Sequence, residues 1–301
     1  LANARQARDP KERLVASGKV RRRERWGVLL ALSLFSGACN HVFYQPDKVA
    51  RGTPKDVGIP FEEHWVATEG GGKLHAWHLE ARASARCHGV VVHFHGNAEN
   101  MTSHFMFSAW LAQEGFDVVT FDYRGYGRSL GEPTREGLFA DGRAMLAWVA
   151  KQPGLRSLPL VVFGQSLGGA VAVPVVAAEP PGRVRALVVD STFDSYRAVA
   201  QGKLGRVWFL WPLQVPLSWL VSSDLEPKEA ITGYQGPFLA VHALGDPVVG
   251  FEHGRALFEA ATTKDKELWE LDTDDHTGAF AGDDSEYRSR LVDWLCRRLA
   301  P

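Results

Sequence analysis

The residues best placed to do chemistry lie in Gly164-Gln165-Ser166-Leu167-Gly168. A serine hydroxyl is a weak nucleophile, so it must project from a sharp turn where a base can reach it. Flanking glycines let such a turn adopt strained dihedrals without a Cβ clash. The pentapeptide alone is common. Its context is more telling, because the apolar run Leu158–Phe163 precedes it as a strand and the small-residue stretch Gly169–Ala178 follows as a helix. The competing reading of Ser166 is an ordinary helix N-cap.

A serine nucleophile needs a base, an acid that orients the base, and donors for the developing oxyanion. With the order Ser, then Asp, then His, the base falls late in the chain. His276 follows the last expected strand, where a loop would bring it over Ser166. His253 sits at the start of an expected helix and lacks that placement. Asp246, in Leu244-Gly245-Asp246-Pro247-Val248-Val249, follows the expected strand Phe238–His242 and is preferred as the acid. Asp190, ending Val184–Val189, is the rival, or else a turn or helix cap. His95-Gly96-Asn97 follows the strand Gly89–Phe94. The backbone N–H groups of Asn97 and Leu167 are the expected oxyanion donors, each worth on the order of 3 kcal/mol of barrier. His95 itself reads as structural.

These groups need a rigid frame. From about residue 60 the chain alternates short apolar runs with amphipathic stretches. Strands are expected at Gly89–Phe94, Val118–Phe121, Leu158–Phe163, Val184–Val189, Phe238–His242 and Glu267–Leu271. Helices are expected near 100–114, 135–151, 167–178, 253–261 and 284–299. Nearly uninterrupted apolarity in most of the strands implies cover on both faces, hence a mainly parallel sheet between helices. Trp65–Leu79 reads as an antiparallel hairpin turning at Glu69-Gly70-Gly71-Gly72. The interval at about 193–236 is too long for a simple crossover and reads as a cap. Its Trp208, Trp211 and Trp219, three of the ten tryptophans, are expected to line an apolar acyl pocket or face a membrane.

Several stretches together resemble the α/β-hydrolases, in the branch of the protein depalmitoylases and serine-aminopeptidase-like hydrolases. They are His95-Gly96-Asn97-Ala98-Glu99-Asn100, Asp122-Tyr123-Arg124-Gly125-Tyr126-Gly127-Arg128-Ser129, the serine pentapeptide, Asp190-Ser191-Thr192-Phe193 and Asp246-Pro247-Val248-Val249. The resemblance implies an α/β-hydrolase fold with a cap and hydrolysis of a small acyl-ester or thioester substrate, with no cofactor. Peptide hydrolysis and a catalytically silent surface binding module are the alternatives. The chain departs from its relatives at Asp274 and Asp275, where glycine usually stands just before the catalytic histidine. Tyr123–Gly127 reads as a structural loop.

The chain has 301 residues, enough for one large domain, and a formal net charge of −1. That value hides an asymmetry. Residues 1–38 hold nine Lys/Arg and three Asp/Glu, leaving 25 basic and 32 acidic residues in the remainder. An acidic body argues against a nucleic-acid partner. The basic excess precedes an apolar run from Trp26 to Ala38, too short to span a bilayer, and then Cys39. Residues 1–38 are therefore expected to be a lipoprotein-type signal peptide, with translation starting at Val20 the better-proportioned version. Cys39 would be lipidated, 39–60 a tether and 61–301 the hydrolase domain, on a membrane of the bacterial envelope. The other reading of the run is a short buried helix. Cys87 and Cys296 could pair or remain buried thiols, and no Cys/His spacing suggests a metal site.

Overall fold

Among the residues described by this computed structural model (43–82, 86–205, 214–219, 221–282 and 286–299), eight strands form one sheet. They are β1 (Phe61–Ala67), β2 (Lys73–Leu79), β3 (Gly89–Phe94), β4 (Phe116–Phe121), β5 (Leu160–Gln165), β6 (Val184–Asp190), β7 (Phe238–Ala243) and β8 (Lys266–Leu271). The spatial order is β1-β2-β4-β3-β5-β6-β7-β8. The hairpin β1–β2 joins β4 antiparallel, and every pairing from β4 through β3 to β8 is parallel. Chain contacts divide the molecule into Leu1–Phe43 and Tyr44–Pro301, and the second unit carries the sheet. Residues 1–42, Cys39 among them, together with Trp208 and Trp211, lie outside the described residues.

Central strands β3, β5 and β7 are buried at every position, as their uninterrupted apolarity requires. Among the described residues, the helices of ten residues or more are α1 (Arg135–Val149), α2 (Leu167–Ala177), α3 (Tyr196–Gly205), α4 (Phe251–Ala260) and α5 (Glu286–Leu299). The expected helix over 100–114 is a series of short turns, Met101–His104 and Met106–Ala109, that tighten to a 3-10 segment, Trp110–Glu114. Gly115, at φ 100°, stops it.

One boundary moves in a way that matters. The strand expected at Leu158–Phe163 runs from Leu160 to Gln165. Pro159 has no N–H to give to a ladder, and its carbonyl instead accepts from Val90 at 2.9 Å. The ladder continues through Phe94↔Gly164 and Gln165↔Asp190, so Ser166 is the first residue beyond the strand.

Residues 44–60 differ more from expectation, since they are bonded to the body rather than forming a tether. Gln45 N donates to Asn97 Oδ1 at 2.9 Å and Arg51 N to Thr102 Oγ1 at 2.9 Å. Asn100 Nδ2 donates to the carbonyls of Asp47 and Val49 at 3.1 and 2.9 Å, and Gly127 N reaches Asp47 O at 2.8 Å. Polar, proline-bearing composition suggested a solvated linker. The same backbone groups find partners in the loops beyond β3 and β4.

Of the two readings of the cysteines, the structure adopts the disulfide. Cys87, just before β3, joins Cys296 on α5 across 209 positions, with Cα atoms 5.4 Å apart. Both pack against the main core.

Candidate active site

Ser166 stands between β5 and α2 at φ 53°, ψ −118°, a left-handed backbone for a residue with a Cβ. Neighbouring elements hold it there. Ser166 N donates to Asp190 O at 2.8 Å, while its carbonyl accepts from Gly169 N at 3.1 Å and from Thr192 Oγ1–H. Only glycine fits two residues on, because a Cβ at Gly168 would run into the carbonyl oxygen of Phe94. That contact seats the start of α2 against the end of β3.

The loop after β8 brings His276 Nε2 to 3.0 Å from Ser166 Oγ. His276 Nδ1 lies 2.7 Å from Asp246 Oδ2. Asp246 Oδ1 accepts from the amides of Val248 and Val249 at 2.8 and 3.0 Å. Burial pushes the Asp246 carboxyl up, but the His276 hydrogen bond and the two amides outweigh it, leaving the group below the usual carboxylate value. An ionised carboxylate beside Nδ1 keeps the proton on that nitrogen, so Nε2 faces the serine hydroxyl as an acceptor. Serine, histidine and aspartate thus form one continuous relay.

Asp190 occupies a different place. It is buried, and its Oδ1 accepts from Ser191 Oγ–H at 3.2 Å. Burial foremost pushes its carboxyl up to about 7. Among the described residues it makes no hydrogen bond to His276. Ser191, itself at φ 53°, also accepts from Thr277 N at 3.1 Å, and so pins the residue after the histidine. Asp274 and Asp275 point to solvent.

Asn97 sits in a loop where Ala98 and Glu99 both take positive φ, 58° and 54°. Strain of this kind persists only where surroundings impose it. Here Tyr126 Oη–H donates to Asn97 Oδ1 at 2.8 Å, alongside Gln45 N, and Tyr123 Oη–H donates to His95 O at 3.0 Å. Asp122 Oδ1 accepts from Met101 N at 2.7 Å. Leu167 opens α2, so its N–H is among those a helix cannot satisfy internally. His95 is fully buried, with Nδ1 2.8 Å from Gly96 O, and burial holds its imidazole well below the ordinary value. His253 Nδ1 is occupied by Asp194 Oδ1 at 2.6 Å. Of the cap tryptophans only Trp219 is described, and it is 70% exposed.

Sequence reasoning missed the supporting residues. Ser191 and Thr192 lie in a stretch noted only for its resemblance, and Tyr126 in one read as structural. The roles of these residues follow from contacts across sequence gaps of 26 to 86 positions, which no local pattern reveals.

Residues 85–229 match the Hydrolase_4 family, described as serine aminopeptidase, S33. The chain is 29% identical over 269 residues to the uncharacterized protein YfhR of Escherichia coli, covering 88% of this chain and 89% of that protein. It is 32% identical over 205 residues to the lysophosphatidylserine lipase ABHD12 of Macaca fascicularis, covering 63% of this chain and 49% of the lipase. The esterase Pf2001 of Pyrococcus furiosus superposes with a TM-score of 0.69 at 22% identity, covering 86% of this chain and 98% of that one. That likeness shows the fold.

Proposed function

We propose, starting from its α/β-hydrolase fold, that the chain cleaves carboxylic esters or thioesters through an acyl-enzyme on Ser166. The observation that carries this reading is the relay of 3.0 and 2.7 Å from Ser166 through His276 to Asp246 at a strained strand-to-helix turn. As Ser166 Oγ attacks the acyl carbon, His276 Nε2 takes its proton. The N–H groups of Asn97 and Leu167 receive the carbonyl oxygen as it becomes negative. His276 then returns the proton to the leaving oxygen or sulfur, and water releases the acyl group by the same steps. Asp246 stays ionised, holding the tautomer and balancing the imidazolium.

Reaction with a fluorophosphonate at Ser166, with p-nitrophenyl ester turnover, is the expected result; Ser166→Ala and His276→Ala should stay folded and lose turnover. Full turnover by folded Ser166→Ala would exclude the mechanism, and a wild type inert to both reagents would favour a silent binding module. Peptide hydrolysis is the second reading, motivated by the description of the matching family. Fatty-acyl against aminoacyl reporters separate the two. The name of the macaque relative favours a lipid ester.

The disulfide supports an oxidising compartment, in keeping with export and a lipid-bearing Cys39 at a bacterial membrane. Intact mass of the native protein tests it: an unmodified Cys39 or a retained 1–38 would overturn the anchor. Trp208, Trp211 and Trp219 are proposed to contact the acyl chain or membrane, and substituting each with alanine should change chain-length preference.

A further inference from the structure

We propose that Glu62, His64 and His78 form a binding site for a divalent metal of the zinc class on the hairpin edge of the sheet. Strand register assembles it. β1 and β2 place Glu62 opposite His78, and His64, two residues along from Glu62, shares its face. β2 and β4 pair His78 with Val119, so Asp117, two residues before Val119, lies on that face as well. Two imidazoles and two carboxylates therefore share one face of three adjacent strands, although their sequence positions show no ligand spacing.

The distances suit coordination. One ligand atom each from Glu62, His64 and His78 lie within 4.8 Å of one another. His64 Nε2 is 3.4 Å from Glu62 Oε2. Tetrahedral ligands at ~2.0–2.1 Å from zinc stand about 3.4 Å apart, so this pair already has metal-bridging separation. His78 has to close by little more than about 1 Å to complete a His₂Glu set of the kind zinc accepts with an outer water. His64 Nε2 is shielded from solvent and makes no hydrogen bond among the described residues. Asp117 Oδ1, 2.6 Å from His78 Nε2, gives the site its second carboxylate, and such groups fix a metal-bound imidazole. The Trp148 ring, with its centroid 4.8 Å from that of His64, walls one side. Imidazole nitrogens select zinc, copper or nickel over magnesium and calcium. β1 and β2 are four and three strands from β5, so the site is separate from Ser166.

Zinc titration of the metal-stripped full chain, read by competition with a chromophoric chelator, tests the proposal. Wild type should take up one equivalent at this site, and His64→Ala/His78→Ala should lose at least about tenfold in affinity. Cobalt(II) in place of zinc should give the visible bands of a four-coordinate nitrogen and oxygen site in wild type and not in the double variant. No zinc uptake by wild type, or equal affinity in the double variant, overturns it. Should the double variant fail to fold, Glu62→Gln at the exposed ligand decides: unchanged zinc affinity and cobalt spectrum there overturn the site.

Discussion

Two carboxylates lie close to the Ser166–His276 pair, and their surroundings divide the work between them. Asp246, held ionised by His276 and two amides, is equipped to keep the imidazole tautomer; Asp246→Asn should lower kcat by roughly 10⁴-fold. Asp190, hydrogen-bonded to Ser191, should matter less, and a larger loss in Asp190→Asn than in Asp246→Asn would reverse the assignment. Asp190 also makes a distinctive pH prediction. Its folded value, about 7, lies above that of an ordinary carboxyl in the unfolded chain, so its contribution to stability is complete below the unfolded value and disappears as pH climbs through 7. Asn mimics the protonated acid at all pH. Denaturant midpoints should therefore match near pH 4 and favour Asp190→Asn at pH 8, the gap widening by at most about 1.4 kcal/mol per pH unit. That Ser166, Asp246 and His276 would meet was legible because each follows a strand end and an α/β-hydrolase fold sets the order serine, acid, histidine along the chain. Asp190 was legible as a competitor, and only contact geometry separated the two.

At the scale of elements, the loops do as much as the strands. The stretch Asp122–Ser129 braces the loop of Asn97 through Tyr123 and Tyr126, and is braced in turn by Arg124, whose guanidinium reaches Asp141 on α1 at 2.7 Å. Asp141 is fully buried, so Asp141→Ala strands the arginine and should cost about 3–5 kcal/mol in denaturant unfolding. Gly127 is obligatory, since a Cβ there would strike the Asp122 carboxylate. Tyr126→Phe frees one anchor of Asn97 and should lower kcat about tenfold or more with little change in KM, a split that a simple loss of fold would not produce. Strands and long helices were readable from periodicity. The strap 44–60 was not, because its attachment uses backbone groups and short polar side chains, which look the same in sequence whether they face protein or water.

For the molecule as a whole, the parallel sheet followed from alternating strand and helix patterns, and the start of β5 was misjudged by ignoring what Pro159 cannot donate. The pairing of Cys87 with Cys296 was undecidable from spacing, since 209 positions of chain had to fold before they could meet. A crosslink over that length contributes about 5 kcal/mol in the chain-entropy description. Reduction, or Cys87→Ser/Cys296→Ser, should lower the unfolding midpoint accordingly. The bond has another consequence. It closes a covalent ring that holds Ser166, Asp246 and His276 together with the whole insertion between β6 and β7. A protease that cuts once in that insertion separates the serine from its acid and base along the chain, yet leaves a single molecule. Nicked enzyme should migrate as one species until reductant is added, then as two fragments, and its ester turnover should outlast the cut.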